Sequence, residues 1–543
     1  MTPAIPDLVP AALRRTWAAD GHYPDLDLYA LFRARRIADP HRTAVVDPRG
    51  PLSYTALDRR ARSLGAGLRA AGISAGDVVG VQLPNGRDAV TADLALAALG
   101  AIALPFPSGR SAREAVSLLR RSGARAVIAP TAHRDTRPAR DIAGLRGELP
   151  ALGAVVAAGQ GRLPDGCLSF AALLRTDATA FTPARPDPDA AARILVSSGT
   201  EAEPKMVAYS HNALAGGRGN FLAALRPSGS ELRCLFLVPL ASAFGSSGTA
   251  VTLARHGGTL VLMDRFTPAD ALETIRRHRP THVLGVPTMV RMMLDRPSDR
   301  ALPPPAALIL GGSPLDEATR AEAELAFGCP VVNLYGSADG VNCHSGLGGR
   351  PIQEDGPGVA VGRPDPAVTD IRIAASGGAS CGTPGEIGEI EARGPMTPLC
   401  YVAAPELNDR YRTADGWVRT GDLGVFDADG VLRVVGRLKD IVIRGGVNIS
   451  PAEVERALAA HPDVRDVVCT GVPCPLMGER LAACVVPRAG RTVTLDDLRA
   501  HLGACGLDRC KHPERLLLMD ALPLTPAGKP DRTALRRAAT EAR

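Results

Sequence analysis

A short apolar run, Leu195-Val196, feeds a segment of hydroxyls, a glycine and a lysine: Ser197-Ser198-Gly199-Thr200, then Pro204-Lys205. In a loop of this kind, backbone N–H groups and hydroxyls can donate to phosphate oxygens, and the Lys205 ammonium adds positive charge. The glycine-to-lysine spacing is not that of a Walker loop. Taken alone, the segment reads more readily as a surface turn. The same holds for two other features: Gly445-Gly446 alone is a tight turn, and Lys529, near the C-terminus, would alone be a solvated lysine.

The elements that must position these residues follow one repeating pattern over the first four hundred residues. Leu57, Ala61, Leu64 and Leu68 fall on one face of a helix. Gly76-Asp77 then opens the run Val78 to Leu83, and Pro84-Asn85-Gly86 closes it. Further strand candidates are Ala101–Pro105, Ala126–Ile128, Leu195–Val196, Leu235–Val238, Leu260–Met263, His282–Val286, Leu308–Leu310 and Val331–Leu334. Strands alternating with helices predict parallel α/β layers. Their near-continuous apolar character predicts sheets covered on both faces. After Gly394, shorter β runs and turns such as Asp429-Gly430 predict an antiparallel subdomain. A further break falls at Gly436-Arg437-Leu438-Lys439-Asp440, beyond which a small α+β unit follows. The fold class is therefore α/β: layered α/β subdomains plus a β-rich subdomain in a large N-terminal domain over 1–438, and a small C-terminal domain over 439–543.

Composition narrows the function classes. The 543 residues exceed one ordinary domain, and 45% apolar with 22% charged residues is the range of a soluble globular chain. Net charge is only +6, from 63 basic and 57 acidic residues, which mildly suits an anionic ligand. With no dense basic block and 3% aromatics, a nucleic-acid partner is not indicated. The 11 cysteines are scattered without a CxxC pair or a metal-ligand cluster, so reduced thiols in a cytoplasmic protein are expected. Met1 to Asp20 has no apolar signal core. The uncharged run Leu235 to Ala254 is interrupted by Pro239, Gly245 and Gly248, so it predicts a buried strand, loop and helix, not a membrane span.

Six segments, in order, carry a resemblance. Residues Leu195 to Val207 resemble the phosphate loop of adenylate-forming enzymes, the superfamily of acyl-CoA synthetases, luciferases and peptide-synthetase adenylation domains. Gly311-Gly312-Ser313-Pro314-Leu315 resembles its adenine-pocket loop. Asn333-Leu334-Tyr335-Gly336-Ser337-Ala338-Asp339 resembles its Tyr-Gly-x-Thr-Glu motif. Gly416-Trp417-Val418-Arg419-Thr420-Gly421-Asp422, Gly436 to Asp440 with Arg444 to Glu453, and Leu524 to Lys529 complete the set. The likeness covers about residues 25 to 535 and is closest to the acyl-CoA synthetase (AMP-dependent synthetase and ligase) branch. It implies that Asp422 accepts from the ribose hydroxyls, that Arg437 lies near the ribose, and that Tyr335 stacks on adenine. Ser198, Gly199, Thr200, Lys205, Gly312, Ser313, Asn333, Gly336 and Ser337 would complete the nucleotide site. Lys529 would neutralise charge as the carboxylate attacks the α-phosphorus. Lys439 would be the hinge of a C-terminal domain rotation between half-reactions. After that rotation, Gly445 and Gly446 would line the pantetheine tunnel.

The departures from the family pattern are specific. Glu201 replaces a hydroxyl and Ala202 a glycine in the phosphate loop, while Ala338 replaces a threonine and Asp339 the glutamate that helps hold Mg²⁺. Like charges at ~4–5 Å cost a few kcal/mol at an effective dielectric of about 20. Magnesium tolerates little deviation from octahedral geometry, so Asp339 is a weak metal candidate. The expectation is an acyl-CoA ligase that binds an acyl-adenylate and passes the acyl group to CoA, with its own ATP-dependent adenylation weak or lost and a separate enzyme supplying the adenylate. The alternatives are a full two-step ligase, an acyl-AMP ligase loading a carrier protein, and a non-catalytic nucleotide or acyl binder. An acyl pocket around Ser242, Phe244, Gly245 and Gly311 is small-residue-rich and suits a bulky or apolar acid.

Overall fold

The computed structural model describes residues 5–197, 204–227, 230–296, 301–348, 356–374, 380–381, 385–444, 447–474, 477–525 and 528–542. Two eight-stranded sheets form the large N-terminal domain. In the first, Val78–Val81 pairs in parallel with Ile102–Pro105 on one side and Ala126–Pro130 on the other. Ala191–Val196 and Met206–Ser210 form the antiparallel hairpin that flanks the phosphate loop. The second sheet sets Thr259–Leu262, Arg233–Phe236, His282–Gly285, Ala307–Gly311 and Val331–Gly336 side by side in parallel.

These strands form because their apolar runs are buried on both faces: all four residues of Val78–Val81 and all five of Ala307–Gly311 are inside. Helix Arg87–Leu99, apolar almost all round, packs against strands of both sheets and is buried along nearly its whole length. A hydrophobic helix of this kind is the filling between two layers. The uncharged run resolves as strand Arg233–Phe236, a loop, and a wide π-type helix over Gly248–Arg255. Such wide turns are rare and cluster at functional sites.

The antiparallel sheet begins at Val359, earlier than the sequence pattern suggested. Its order is Val359–Gly362, Leu432–Arg437, Val418–Phe426, Gly388–Arg393, Asp370–Ala374 and Ser380–Cys381. The first strands were hidden because the stretch between them is dense in Gly and Pro, which reads as loop. The small C-terminal domain is built on a five-stranded sheet, with Gly478–Pro487 between Val464–Cys474, Val442–Arg444 and Arg515–Leu518. It has its own core of Val442, Ile449, Val454, Leu458, Leu481, Leu498 and Leu502. The two sheets flanking the predicted hinge are joined by a single 3-10 turn, Leu438–Asp440. No described helix is long and apolar enough to cross a membrane, and the described cysteines are free.

Candidate functional site

Strands from two sheets and the C-terminal domain meet at one point. Strand Val331–Gly336 carries Tyr335, and Asp422 and Arg437 face each other across the paired strands Val418–Phe426 and Leu432–Arg437. The Tyr335 hydroxyl donates to Asp422 Oδ2 at 2.7 Å, and Arg437 Nε donates to Oδ1 at 3.1 Å. Asp422 is buried. Burial pushes its carboxyl up, while the Arg437 guanidinium opposes that. A carboxylate oxygen has a second lone-pair site, so Asp422 retains capacity for two further donors, as a ribose diol would supply.

Lys529 reaches this point from the C-terminal domain. A Cβ built on Gly312 would lie 2.9 Å from Lys529 Cε and 3.3 Å from its Nζ. Gly312 has φ +88°, a left-handed conformation that favours glycine. The lysine therefore passes directly over the glycine loop. Its turn is closed by Thr525, whose N–H donates to the Lys529 carbonyl at 2.7 Å and whose Oγ1 accepts from the Lys529 N–H at 3.3 Å. Burial and the nearby Arg437 push the Lys529 ammonium down to about 8, and Asp422 opposes the shift. An anionic group placed between Lys529 and Arg437 would relieve that repulsion, and an adenylate phosphate is such a group. The residues present fit a nucleoside monophosphate ester.

The outer-phosphate side is arranged differently. Lys205 Nζ lies 3.3 Å from Asp339 Oδ1, and both side chains are buried. The Tyr401 hydroxyl donates to the same Oδ1 at 2.7 Å. The ammonium also sits 4.1 Å from the Tyr411 ring centre and 5.3 Å from that of Tyr401. Lys205 is thus held by a carboxylate and an aromatic wall. Mg²⁺ would need several oxygens in octahedral array. Here one carboxylate oxygen already takes two donors, and no described group of three His, Cys, Asp or Glu residues could hold a metal. A magnesium ion at a nucleotide site takes most of its oxygens from phosphate and water, and Asp339 is the carboxylate this end offers it. Ala338 is packed in the apolar cluster with Tyr209, Tyr401 and Tyr411.

The predicted acyl-pocket loop is tightly constrained. Ser242 Oγ donates to the Pro239 carbonyl at 2.8 Å and accepts from Gly245 N at 3.0 Å, so it shapes the turn. A Cβ on Gly245 would fall 2.0 Å from the Pro239 oxygen, and one on Gly311 2.7 Å from the Leu334 oxygen. Phe244 packs against the main core. Asn85 fixes the loop's start, accepting from Leu240 N at 2.8 Å and donating to the Val238 carbonyl at 3.0 Å. Behind it, Asp93 accepts from Arg193 at 2.9 Å and from Thr249 of the wide helix at 2.9 Å.

Other expected residues take structural contacts. Asn333 Nδ2 donates to the Ala360 carbonyl at 2.9 Å, tying the second sheet to the antiparallel one. Ser337 Oγ accepts from Asp339 N at 3.0 Å and so shapes the turn after Gly336. Ser313 follows Gly312 as a half-buried residue. Ser198, Gly199, Thr200, Glu201 and Ala202, and the tunnel glycines Gly445 and Gly446, lie outside the described residues, as does the side chain of Lys439. Sequence reasoning missed Tyr401, Tyr411 and Arg218. For the tyrosines the only signal was scarcity, since three of the chain's seven, Tyr209 with these two, converge beside Ala338; Arg218 gave none.

Comparison with known proteins adds a family. The model for the AMP-binding enzyme matches residues 32–402, and that for the AMP-binding enzyme C-terminal domain matches 453–529. Pyochelin synthase PchD of Pseudomonas aeruginosa is 34% identical over 98% of this chain and 97% of its own. The salicyl-AMP ligase / salicyl-S-ArCP synthetase of Mycobacterium tuberculosis is 33% identical, over 97% and 93%. The medium-chain fatty-acid–CoA ligase of Escherichia coli is 30% identical, over 96% and 92%. Among solved structures, ATP-bound MatB from Rhodopseudomonas palustris superposes with a TM-score of 0.82 at 26% identity, covering 95% of this chain and 99% of MatB. Apo MatB, at the same identity and coverage, reaches only 0.71.

Proposed function

Because this chain belongs to the AMP-binding enzyme family of adenylate-forming ligases, we propose that it takes an acyl-adenylate and transfers the acyl group to the thiol of coenzyme A, with its own ATP-dependent adenylation weak or lost. In that step the CoA sulfur attacks the acyl carbon. The carbon–oxygen bond to the α-phosphate breaks, AMP leaves, and the thiol proton goes to solvent. No enzyme nucleophile is needed; the contribution is positioning and electrostatics.

The observation that carries this reading is a contrast between the two ends of one site. The end for an AMP moiety has its carboxylate, tyrosine, arginine and lysine gathered around one point. At the end for outer phosphates, the lysine is spent on Asp339. Binding ATP there would require the Lys205 ammonium to exchange Asp339 for a phosphate oxygen, leaving Asp339 with the Tyr401 hydroxyl alone. The altered residues Glu201 and Ala202 act in the same direction. A separate adenylating enzyme would then supply the substrate. Rotation of the C-terminal domain (439–543) about Lys439 would bring Gly445 and Gly446 to the thiol arm. The described cysteines, all free, support a cytoplasmic reaction on this reading. The small-residue loop from Ser242 suits a bulky acid.

A carrier-protein thiol is the second acceptor, favoured by the salicyl-S-ArCP synthetase among the relatives. One assay separates the two: a synthetic acyl-adenylate is given with CoA or with a phosphopantetheinylated carrier, and thioester is followed by mass spectrometry. The reading predicts acyl-CoA formation at least tenfold faster than carrier loading. The reverse ratio would assign the carrier, and no thioester with either would leave a binding protein.

A further inference from the structure

Arg218 is a buried cation to which the scheme above gives no task. It sits in helix Gly217–Ala224 and is only 6% exposed. Its Nη1 donates to the Ala243 carbonyl at 2.9 Å, and its Nη2 to the Tyr209 hydroxyl at 3.4 Å. Its guanidinium carbon stands 4.9 Å from the centre of the Tyr209 ring. Its Nε is buried with no hydrogen-bond partner. Among the described residues, no carboxylate forms an ion pair with it.

That arrangement is incomplete as chemistry. A buried charge is ordinarily paired, and neutral acceptors satisfy donors without cancelling the charge. The surroundings deepen the imbalance. The charged groups facing the Tyr209 and Tyr401 hydroxyls are Arg218, Arg412 and Asp339, and the one carboxylate is already held by Lys205. Arg412 Nη2 is likewise buried without a partner. Position matters as much as charge. Ala243 lies between Ser242 and Phe244 in the acyl-pocket loop. The Tyr209 hydroxyl donates to the Ala338 carbonyl at 2.9 Å, beside the Tyr335 strand. Arg218 therefore ties the loop expected to face the acyl group to the Tyr209 strand, and Arg218, Arg412 and Lys205 outnumber Asp339 around it.

We infer that the acid this site accepts carries a second anionic oxygen group, a carboxylate or sulfonate remote from the reacting carboxyl, which Arg218 meets. The inference rests on the reading of the site as an acyl-adenylate site. Planar guanidinium donors match such a group bidentately, and a charge-assisted pair in a dry cleft discriminates strongly against an analogue lacking it. The body of the acid can still be bulky and apolar, since the loop from Ser242 to Gly248 carries no charge.

The test uses non-hydrolysable N-acylsulfamoyl adenosines, which require neither ATP nor the adenylation step. The acyl groups are benzoyl with meta- and para-carboxybenzoyl, meta-sulfobenzoyl, and the linear pair butanoyl and glutaryl. Calorimetry with the full-length protein should show at least one acid-bearing analogue binding tenfold or more tighter than its neutral partner. Arg218→Met should abolish that ratio, the charged and neutral analogues then binding within about twofold of each other. Arg218→Lys should keep part of the ratio. If the wild type shows no preference, or if Arg218→Met weakens neutral and charged analogues alike, the arginine is structural and the inference fails. If no analogue binds at all, including the neutral ones, the adenylate reading itself falls and this inference with it.

Discussion

Lys529 is the residue whose chemistry the structure specifies most closely. Its ordinary value near 10.5 is pushed down to about 8 by burial and Arg437. The protonated form neutralises phosphate charge, and in the free enzyme it predominates below pH 8. A step that needs it should therefore lose kcat/KM as pH rises through about 8, and the profile should flatten in Lys529→Arg. Lys529→Ala should lower adenylate formation, or its reversal by pyrophosphate, by about a hundredfold or more. On the proposed domain rotation the lysine has left the site before the thiol attacks, so thioester formation from a supplied adenylate should change by only a few-fold. Asp422→Ala removes the acceptor shared by Tyr335 and Arg437 and should weaken adenylate-analogue binding by roughly tenfold to a hundredfold, measured by calorimetry. These motif residues were legible in sequence because each stands in a short distinctive string. The buried Lys205–Asp339–Tyr401 contact was not. Asp339 read as a shortened metal ligand, and nothing in sequence shows that a lysine 134 positions earlier turns to meet it.

At the level of elements, the strands that hold the site were readable because burial on both faces leaves uninterrupted apolar runs. The start of the antiparallel sheet was less so, since half-buried strands between Gly- and Pro-rich connectors lack a strong period. The acyl loop illustrates what backbone proximity demands. Gly245→Ala would drive a Cβ to 2.0 Å from the Pro239 carbonyl. The expected cost is about 1–3 kcal/mol, read as a lowered denaturation midpoint. Between domains, Arg291 of helix Pro287–Leu294 donates to Asp466 at 3.0 Å and lies 3.5 Å from Asp316. This pair spans the large and small domains in the arrangement that keeps Lys529 over Gly312. A partly exposed pair contributes under about 1 kcal/mol. Asp466→Ala should therefore release the C-terminal domain modestly, raising the thioester-forming rate by up to about fivefold where rotation limits turnover. An unchanged rate would mean that the pair does not gate the motion.

For the molecule as a whole, the two-domain division was visible in the motif string Gly436 to Asp440, while the meeting of Tyr335, Asp422, Arg437 and Lys529 across nearly two hundred residues was legible only through the order of the family's motifs. Periodicity has no access to such convergence, because it reports each element's own buried face and not its neighbours. The proposed division of work between the site's two ends shows in the rates of the two half-reactions. One purified protein is given ATP, Mg²⁺ and a panel of acids while pyrophosphate is followed, and separately synthetic acyl-adenylates with CoA while acyl-CoA and AMP are followed. Turnover is expected in the second arm, with pyrophosphate release at least a hundredfold slower in the first. Restoring Thr, Gly, Thr and Glu at Glu201, Ala202, Ala338 and Asp339 should speed the first arm alone. Comparable rates in both arms of the unaltered protein would contradict that division, and the chain would then be an ordinary two-step ligase whose Lys205 leaves Asp339 when ATP binds.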